Sequence, residues 1–241
     1  MGFNWDDNLP EEITSKWNSW TSSLISYNKF TVPRSVCTKK GSQFILHGFA
    51  DASQQAVCAA VYVVEHDCEH VISQNLLVAK SRVAPKSTSI PRLELVAAHT
   101  LARLMDSTMK ALKTSPITKI NYWSDSTTVL HWLASQGTWT IFVRNRVKKI
   151  NELSQGSWRY VPTAENPSDL GTRGVLPSKL GTLWFKGPNW LGNPKTWPSQ
   201  PEIIETAETL NEVTTRKDKS FMTNETQHVN KSDLDFIEII P

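Results

Sequence analysis

The sequence has little cysteine and no long apolar run, and both shortages exclude whole classes of protein. Its three cysteines, Cys37, Cys58 and Cys68, form no CxxC pair, so a disulfide framework is not expected. No stretch reaches the roughly 18–20 apolar residues that span a bilayer, and no apolar N-terminal core resembles a signal peptide. These absences favour a protein that works in a reducing, intracellular setting.

Apolar residues are also scarce, and charge of one sign is concentrated at one end. Apolar residues make up 39% of the 241 residues, which is low for a chain that is packed throughout. Residues 200–241 contain nine acidic and four basic residues, a net charge of −5, so the rest of the chain carries +8. We therefore expect an acidic, disordered tail at 200–241, behind a basic body that suits a polyanionic partner.

Two flanking segments are predicted beside the main body. Residues 1–40 predict one amphipathic helix and a linker, because Pro10 suits a first helical turn and an apolar stripe follows at spacings of four, three and four. The stripe consists of Ile13, Trp17, Trp20 and Leu24. It must pack against something, either this domain or a preceding one. Residues 176–199 hold three tryptophans among glycines and prolines and indicate an irregular extension.

The main body, residues 41–175, alternates strand-like and helix-like segments in the order β-β-β-α-β-α-α-β-α. Three apolar runs joined by short turns predict an antiparallel meander. A long helical pattern then begins at Pro91, and further strands and helices follow it. We predict an α/β fold with a mixed five-stranded sheet, in which three antiparallel strands are followed by parallel additions and helices lie on both faces.

Four acidic residues occupy junctions between these segments, where a catalytic carboxylate is commonly placed. They are Asp51 at the end of the first strand, Glu94 in the first turn of the long helix, Asp125 at the end of the fourth strand and Asp169 at the start of the last helix. Each one alone has an ordinary explanation as a turn or helix-capping residue. Two divalent cations about 3.5–4 Å apart need several carboxylates. Together and in this order, the acids predict a two-metal phosphodiester hydrolase with a ribonuclease H fold.

The segments around these acids form a series of short motifs. They are residues 47–53, 79–85, 90–95, 123–126, 142–147, 158–162 and 166–170. The series resembles the ribonuclease H-like region of polyproteins from BEL/Pao-type LTR retrotransposons, over about residues 41–192. In that family the stretch is also catalogued as a Pao retrotransposon peptidase.

The resemblance implies an endonuclease that uses two magnesium or manganese ions to hydrolyse the RNA strand of an RNA–DNA hybrid. Asp51 would contact both metal ions, and Glu94, Asp125 and Asp169 would complete their coordination. The resemblance also implies adjoining reverse transcriptase and integrase regions in a polyprotein, with residues 1–40 as the end of the former. The implied setting is the cytoplasm, within a virus-like particle with access to the nucleus, and no membrane partner.

Basic and hydroxyl side chains near the acids are candidates for binding nucleic acid. They are Ser53, Arg92, Ser126, Arg144, Arg146, Lys148 and Lys149. The last four lie on one predicted helix that starts at Trp139, and contacts of such residues with phosphates are salt-sensitive and independent of sequence. The alternatives are an ordinary solvated helix face for the basic residues and turn caps for the two serines.

One part of the family pattern is missing. Many ribonucleases H carry a histidine in the loop before the last acid, and here that loop, residues 162–165, has none. Glu165 could substitute, although an exposed loop acid is ordinarily only solvated. A catalytically inert remnant that binds nucleic acid is therefore kept as an alternative function.

Two other activities would use the same acids differently. An integrase-like transposase would use Asp51, Asp125 and Glu165, which leaves Glu94 and Asp169 without a role. An aspartic peptidase needs Asp-Thr-Gly or Asp-Ser-Gly, whereas the aspartates here are followed by Ala-Ser, Ser-Thr and Leu-Gly. The sequence therefore favours the nuclease over both.

Overall fold

The computed structural model describes most of the chain. The described residues are 4, 6–25, 35–36, 38–67, 70–135, 137–176 and 179–214. No helix within them is long and apolar enough to cross a membrane.

A five-stranded mixed sheet forms the centre of the molecule. Its strands are β1 (Gln43–Ala52), β2 (Ala56–His66), β3 (Val71–Val83), β4 (Ile117–Ser124) and β5 (Ser157–Tyr160). Their spatial order is β3-β2-β1-β4-β5. The first three strands pair antiparallel, and β4 and β5 add in parallel. The predicted mixed sheet, with its meander and parallel additions, is confirmed.

Seven α-helices accompany the sheet in the described part of the chain. They are α1 (Glu11–Ile25), α2 (Ile90–Ala111), α3 (Thr127–Ala134), α4 (Ile141–Leu153), α5 (Ser168–Arg173), α6 (Thr182–Lys186) and α7 (Ala207–Leu210). The long helix α2 packs on β1 and β2 through fully buried side chains such as Leu93, Leu101 and Met105. A Cβ at Gly48 of β1 would lie 2.6 Å from Leu101 Cδ1, so the glycine allows α2 to approach the sheet closely.

The opposite face of the sheet is covered by the tryptophan-rich extension that the sequence predicts at 176–199. Its Trp190 and Trp197 rings contact the buried Trp123 of β4, with ring centroids 4.8 and 5.2 Å apart. Edge-to-face aromatic contacts of this kind stabilise a packed layer. The extension therefore belongs to the same packed unit as the sheet, although residues 177–178 lie outside the described residues.

The helix predicted near the N-terminus forms as α1. Its apolar stripe is exposed, with 59% of Trp17 and 41% of Trp20 accessible to solvent. The two rings stack on each other at 5.5 Å. Of the two expected coverings for the stripe, this domain does not supply one within its described residues.

The acidic tail differs from the expectation in its first part. Residues 200–214 were expected to be disordered, but α7 forms there and Thr206 and Thr209 make a reciprocal capping box. Thr209 and Glu212 are buried. The physical reason is that caps and a paired carboxylate give this polar segment local structure that its composition does not reveal. Residues 215–241 lie outside the described residues.

Candidate active site

Two parallel strands bring the first pair of acids together. In the β1–β4 register Ala50 lies beside Ser124, so Asp51 and Asp125 follow at the same edge of the sheet. The carboxyl ends of neighbouring parallel strands are a common location for functional groups in α/β folds.

Asp51 is the more deeply buried of the two strand-end aspartates. Its side chain is buried, and Oδ2 accepts a hydrogen bond of 2.5 Å from the Thr172 hydroxyl. Burial raises the pKa of Asp51 to about 6, with the negative charges of Asp125 and Asp169 adding to the effect and the Thr172 hydrogen bond opposing it. The site therefore disfavours a second negative charge unless a cation is present.

Glu94 projects from α2 towards the same edge. The helix begins at Ile90, one residue earlier than predicted, so Glu94 lies in the second turn rather than the first. Burial raises its pKa to about 7, and the charges of Asp125 and Asp51 contribute, whereas a hydrogen bond with Ser126 lowers it.

Asp125 is held by residues of the loop before α5. Burial raises the pKa of Asp125, and hydrogen bonds from Thr163 and Asn166 act in the opposite direction. Asn166 Nδ2 lies 3.3 Å from Asp125 Oδ1 and also donates to the Ala50 carbonyl at 3.0 Å. The buried amide of Asn166 therefore joins the end of β1 to Asp125.

Asp169 lies in the first turn of α5 and makes an ion pair. Its Oδ1 is 2.6 Å from Arg173 Nε, and 22% of the Asp169 side chain is exposed. The helix is fixed to β1 because the Ser168 hydroxyl donates to the Phe49 carbonyl at 3.0 Å.

The donor chemistry of this set fits a hard divalent cation, because carboxylate oxygens are the ligands such ions prefer. The like charges that raise the carboxyl pKa values are the charges that a bound cation would offset. As the side chains stand, however, no three His, Cys, Asp or Glu residues in the described ranges are arranged to hold a metal ion. Asp51, Asp125 and Asp169 are instead engaged by Thr172, Asn166 and Arg173, respectively.

The two serines proposed as phosphate contacts both make capping interactions. Ser53 Oγ accepts from the N–H groups of Gln55 and Ala56 and donates to the Thr172 carbonyl at 2.9 Å. Ser126 is the N-cap of α3 and accepts from the Val129 N–H at 3.2 Å. These bonds agree with the alternative that the serines stabilise turns beside the acids.

The basic residues of α4 separate into two pairs rather than one cluster. Arg144 and Lys148 are exposed and one helical turn apart, whereas Arg146 and Lys149 lie on the other side of the exposed arc. The Arg146 guanidinium stacks 3.6 Å from the Phe142 ring centroid. Trp139, expected beside this cluster, is 5% exposed and part of the core.

Arg92 and Glu165 have partners that the sequence did not indicate. Arg92 Nε and Nη2 donate to the two carboxylate oxygens of Glu212 at 2.5 and 3.1 Å. Glu165 accepts a 2.6 Å hydrogen bond from the Trp190 indole. That bond gives Glu165 a role in anchoring the extension, which removes support from the integrase-like arrangement of acids.

Sequence reasoning missed the residues that position the carboxylates. Thr163, Asn166 and Thr172 hold Asp125 and Asp51 from the segment around α5. Small polar residues beside an Asn-Pro helix start were the available signal. Glu212 gave no local signal, because its partner Arg92 is 120 residues away in the chain.

Comparisons with solved structures found distant matches. The chain is similar to LC11-RNase H1, solved in complex with an RNA/DNA hybrid, with 13% identity, coverage of 57% of this chain and 99% of that one, and a TM-score of 0.38. It is similar to the N-terminal RNase H domain of rv2228c from Mycobacterium tuberculosis, with 15% identity, 55% and 91% coverage and a TM-score of 0.35. It is also similar to RNase H1 of Halobacterium salinarum, with 14% identity, coverage of 52% of this chain and 90% of that one, and a TM-score of 0.33.

No match was found among curated proteins. A family model described as the Pao retrotransposon-like RNaseH-like domain matches residues 1–126, a range that includes Asp51, Glu94 and Asp125. The match covers more than half of the chain and confirms the resemblance to the BEL/Pao region. The chain belongs to the family of Pao retrotransposon-like RNase H-like domains.

Proposed function

We propose that this domain is a divalent-metal-dependent endonuclease that hydrolyses the RNA strand of an RNA–DNA hybrid as part of a retrotransposon polyprotein. The observation that carries the proposal is the electrostatic coupling among four acids around the carboxyl edge of β1 and β4. Membership of a retrotransposon RNase H-like family supports the same reaction class.

Asp51 is proposed as the carboxylate that would be shared by two ions. It interacts electrostatically with each of the other three acids, Glu94, Asp125 and Asp169. The four side chains would together hold magnesium or manganese, which would supply Lewis-acid stabilisation of the charge at the scissile phosphate.

The chain's own residues prepare this site in two ways. Asn166 and Thr172 hold the side chains of Asp125 and Asp51 with hydrogen bonds. The two carboxylates therefore need little rearrangement when substrate binds. Burial of the same acids excludes water from around the reacting groups, which strengthens electrostatic interactions there.

Substrate contacts are assigned to exposed basic side chains of α4. Arg144 and Lys148 are exposed on one side of α4 and suit contacts with backbone phosphates. A protein recognises a hybrid mainly through groove shape, phosphates and 2′-hydroxyl groups rather than base edges.

The test is cleavage of a hybrid whose RNA strand carries an end label, with magnesium or manganese present. We expect endonucleolytic products from the wild-type chain and loss of activity of at least about 100-fold in Asp51→Asn and Asp125→Asn. Glu165→Gln is the matched acid-to-amide control and should stay active, because its side chain contacts Trp190. Equal losses in all three variants would favour the integrase-like set of acids.

A second candidate function is hybrid binding without cleavage. Two observations favour it. Arg173 forms an ion pair with Asp169, and the loop at 162–165 lacks the histidine found in many ribonucleases H. Retained binding of the hybrid, with no cleavage in either metal, would establish this function instead.

A further inference from the structure

The segment that follows the tryptophan-rich extension returns to the active-site face and is fixed there. Val213 forms an antiparallel bridge with Trp139. The Thr140 N–H donates to the Glu212 carbonyl at 2.8 Å, and the Thr214 N–H donates to the Thr138 carbonyl at 2.9 Å. We call residues 206–214 the C-terminal strap.

The Glu212 carboxylate of the strap lies in a pocket whose arginine and threonine side chains donate hydrogen bonds to it. Glu212 is 7% exposed, and its oxygens accept from Nε and Nη2 of Arg92 and from the Thr140 hydroxyl. An arginine presents the same two parallel N–H groups to a carboxylate and to a phosphate. The Arg92 side chain is 38% exposed, so the pocket opens to the surface.

The pocket adjoins the candidate active site. Arg92 and Glu94 both lie on α2 but leave the helix in different directions, and Thr140 is the residue before α4. A second strap acid, Glu208, lies near enough for its negative charge to act on Glu94. A nucleic-acid strand bound at the four acids would bring its phosphates to this surface, where the strap now presents negative charge.

We infer that Arg92 and Thr140 form a binding site for a backbone phosphate of nucleic acid, and that the Glu212 carboxylate occupies this site as an intramolecular competitor. The inference rests on the proposed nucleic-acid substrate but not on cleavage. Binding of a strand then displaces Glu212, frees Arg92 and releases the strap from residues 138–140.

The first test measures binding of a fluorescein-labelled 12-base-pair RNA–DNA hybrid by anisotropy in EDTA, so that no cleavage occurs. Glu212→Gln should bind at least about threefold more tightly than the matched control Glu205→Gln, which removes one exposed charge beside the strap. The difference in affinity between these two variants should shrink as salt is added. The double variant Arg92→Gln/Glu212→Gln should lose the gain in affinity, because the phosphate-binding arginine is gone. Equal affinities of the two single variants would overturn the inference.

The second test uses the wild-type chain and stays informative if Glu212→Gln folds poorly. Hydrogen exchange of peptides covering 206–214 should rise when hybrid is added in EDTA, and unchanged or slower exchange would contradict the inference. Faster exchange in the strap without cleavage in magnesium would support the inference and contradict the proposed reaction. Cleavage of the hybrid with unchanged exchange in the strap would contradict only the inference. Absence of hybrid binding would contradict both.

Discussion

The strand pair β1–β2 carries a buried acid at each of its ends, and the two acids differ in their surroundings. Asp51 lies near the end of β1, opposite Cys58, and Glu65 lies near the end of β2, opposite Phe44. Burial raises the pKa of Asp51 to about 6. Burial also acts to raise the pKa of Glu65, but hydrogen bonds overcome it and lower the value to about 2.

The difference comes from the number of donors. Glu65 is fully buried and accepts from the backbone N–H groups of Thr38 and Lys39 and from the hydroxyl groups of Thr38, Ser42 and Ser73. Asp51 has the Thr172 hydroxyl and a backbone contact, with like charges nearby. Burial alone therefore does not mark a functional acid, because a fully hydrogen-bonded carboxylate stabilises the fold whereas a poorly satisfied one favours a ligand.

The comparison is tested most strongly by Glu65→Gln. We expect this change to lower the free energy of unfolding by about 3 kcal/mol, because it leaves buried donors without their charged acceptor. Asp51→Asn should cost less than about 1 kcal/mol or stabilise the fold, because it removes a charge from among like charges. Urea unfolding at pH 7, followed by tryptophan fluorescence, measures both. Equal losses of unfolding free energy in the two variants would contradict the distinction between a structural Glu65 and a poorly satisfied Asp51.

We expect Glu65 and the candidate active-site acid Glu94 to affect the free energy of unfolding with opposite pH dependence. Since the folded pKa of Glu65 lies below its ordinary value of 4.5, at about 2, its contribution is complete above pH 4.5 and is lost as the pH falls towards 2. The folded pKa of Glu94 is raised from 4.5 to about 7, so its ionisation reduces stability as the pH rises through that interval.

Glu94→Gln tests the second half of this prediction. The variant should match the wild type at pH 4 and be more stable by about 1–2 kcal/mol at pH 8, because it removes the cost of ionising a buried carboxyl. Added magnesium should narrow the gap at pH 8 by stabilising the wild type. Urea unfolding at pH 4, 6 and 8 checks the sign, and a constant difference across this range would refute it.

The comparison also explains which features were predictable from sequence. Strand ends, helix spacing and turns are local, so the positions of Asp51 and Asp125 at one edge followed from the pattern of apolar residues and breaks. The surroundings of Glu65 and Glu212 were not predictable, because their partners lie 8 to 120 residues away. Hydrogen bonds over such separations leave no periodic signal, and for the same reason the order in residues 200–214 was missed.

The smallest expected effect comes from a matched pair of threonine substitutions, one at each end of the strand pair. Thr38→Val and Thr172→Val each remove a hydroxyl that donates to a buried carboxylate, Glu65 and Asp51, respectively. Both should raise the pKa of the acid, which carboxyl ¹³C NMR titration measures directly. At pH 7 Thr38→Val should cost about 1–1.5 kcal/mol of stability and Thr172→Val about 0.5 kcal/mol. The asymmetry is expected because the charged form of Glu65 depends on its donors, whereas the charge on Asp51 is already disfavoured by its neighbours. If Thr172→Val were the more costly change, Asp51 would be a structural acid like Glu65, and the case for a ligand at that edge would weaken.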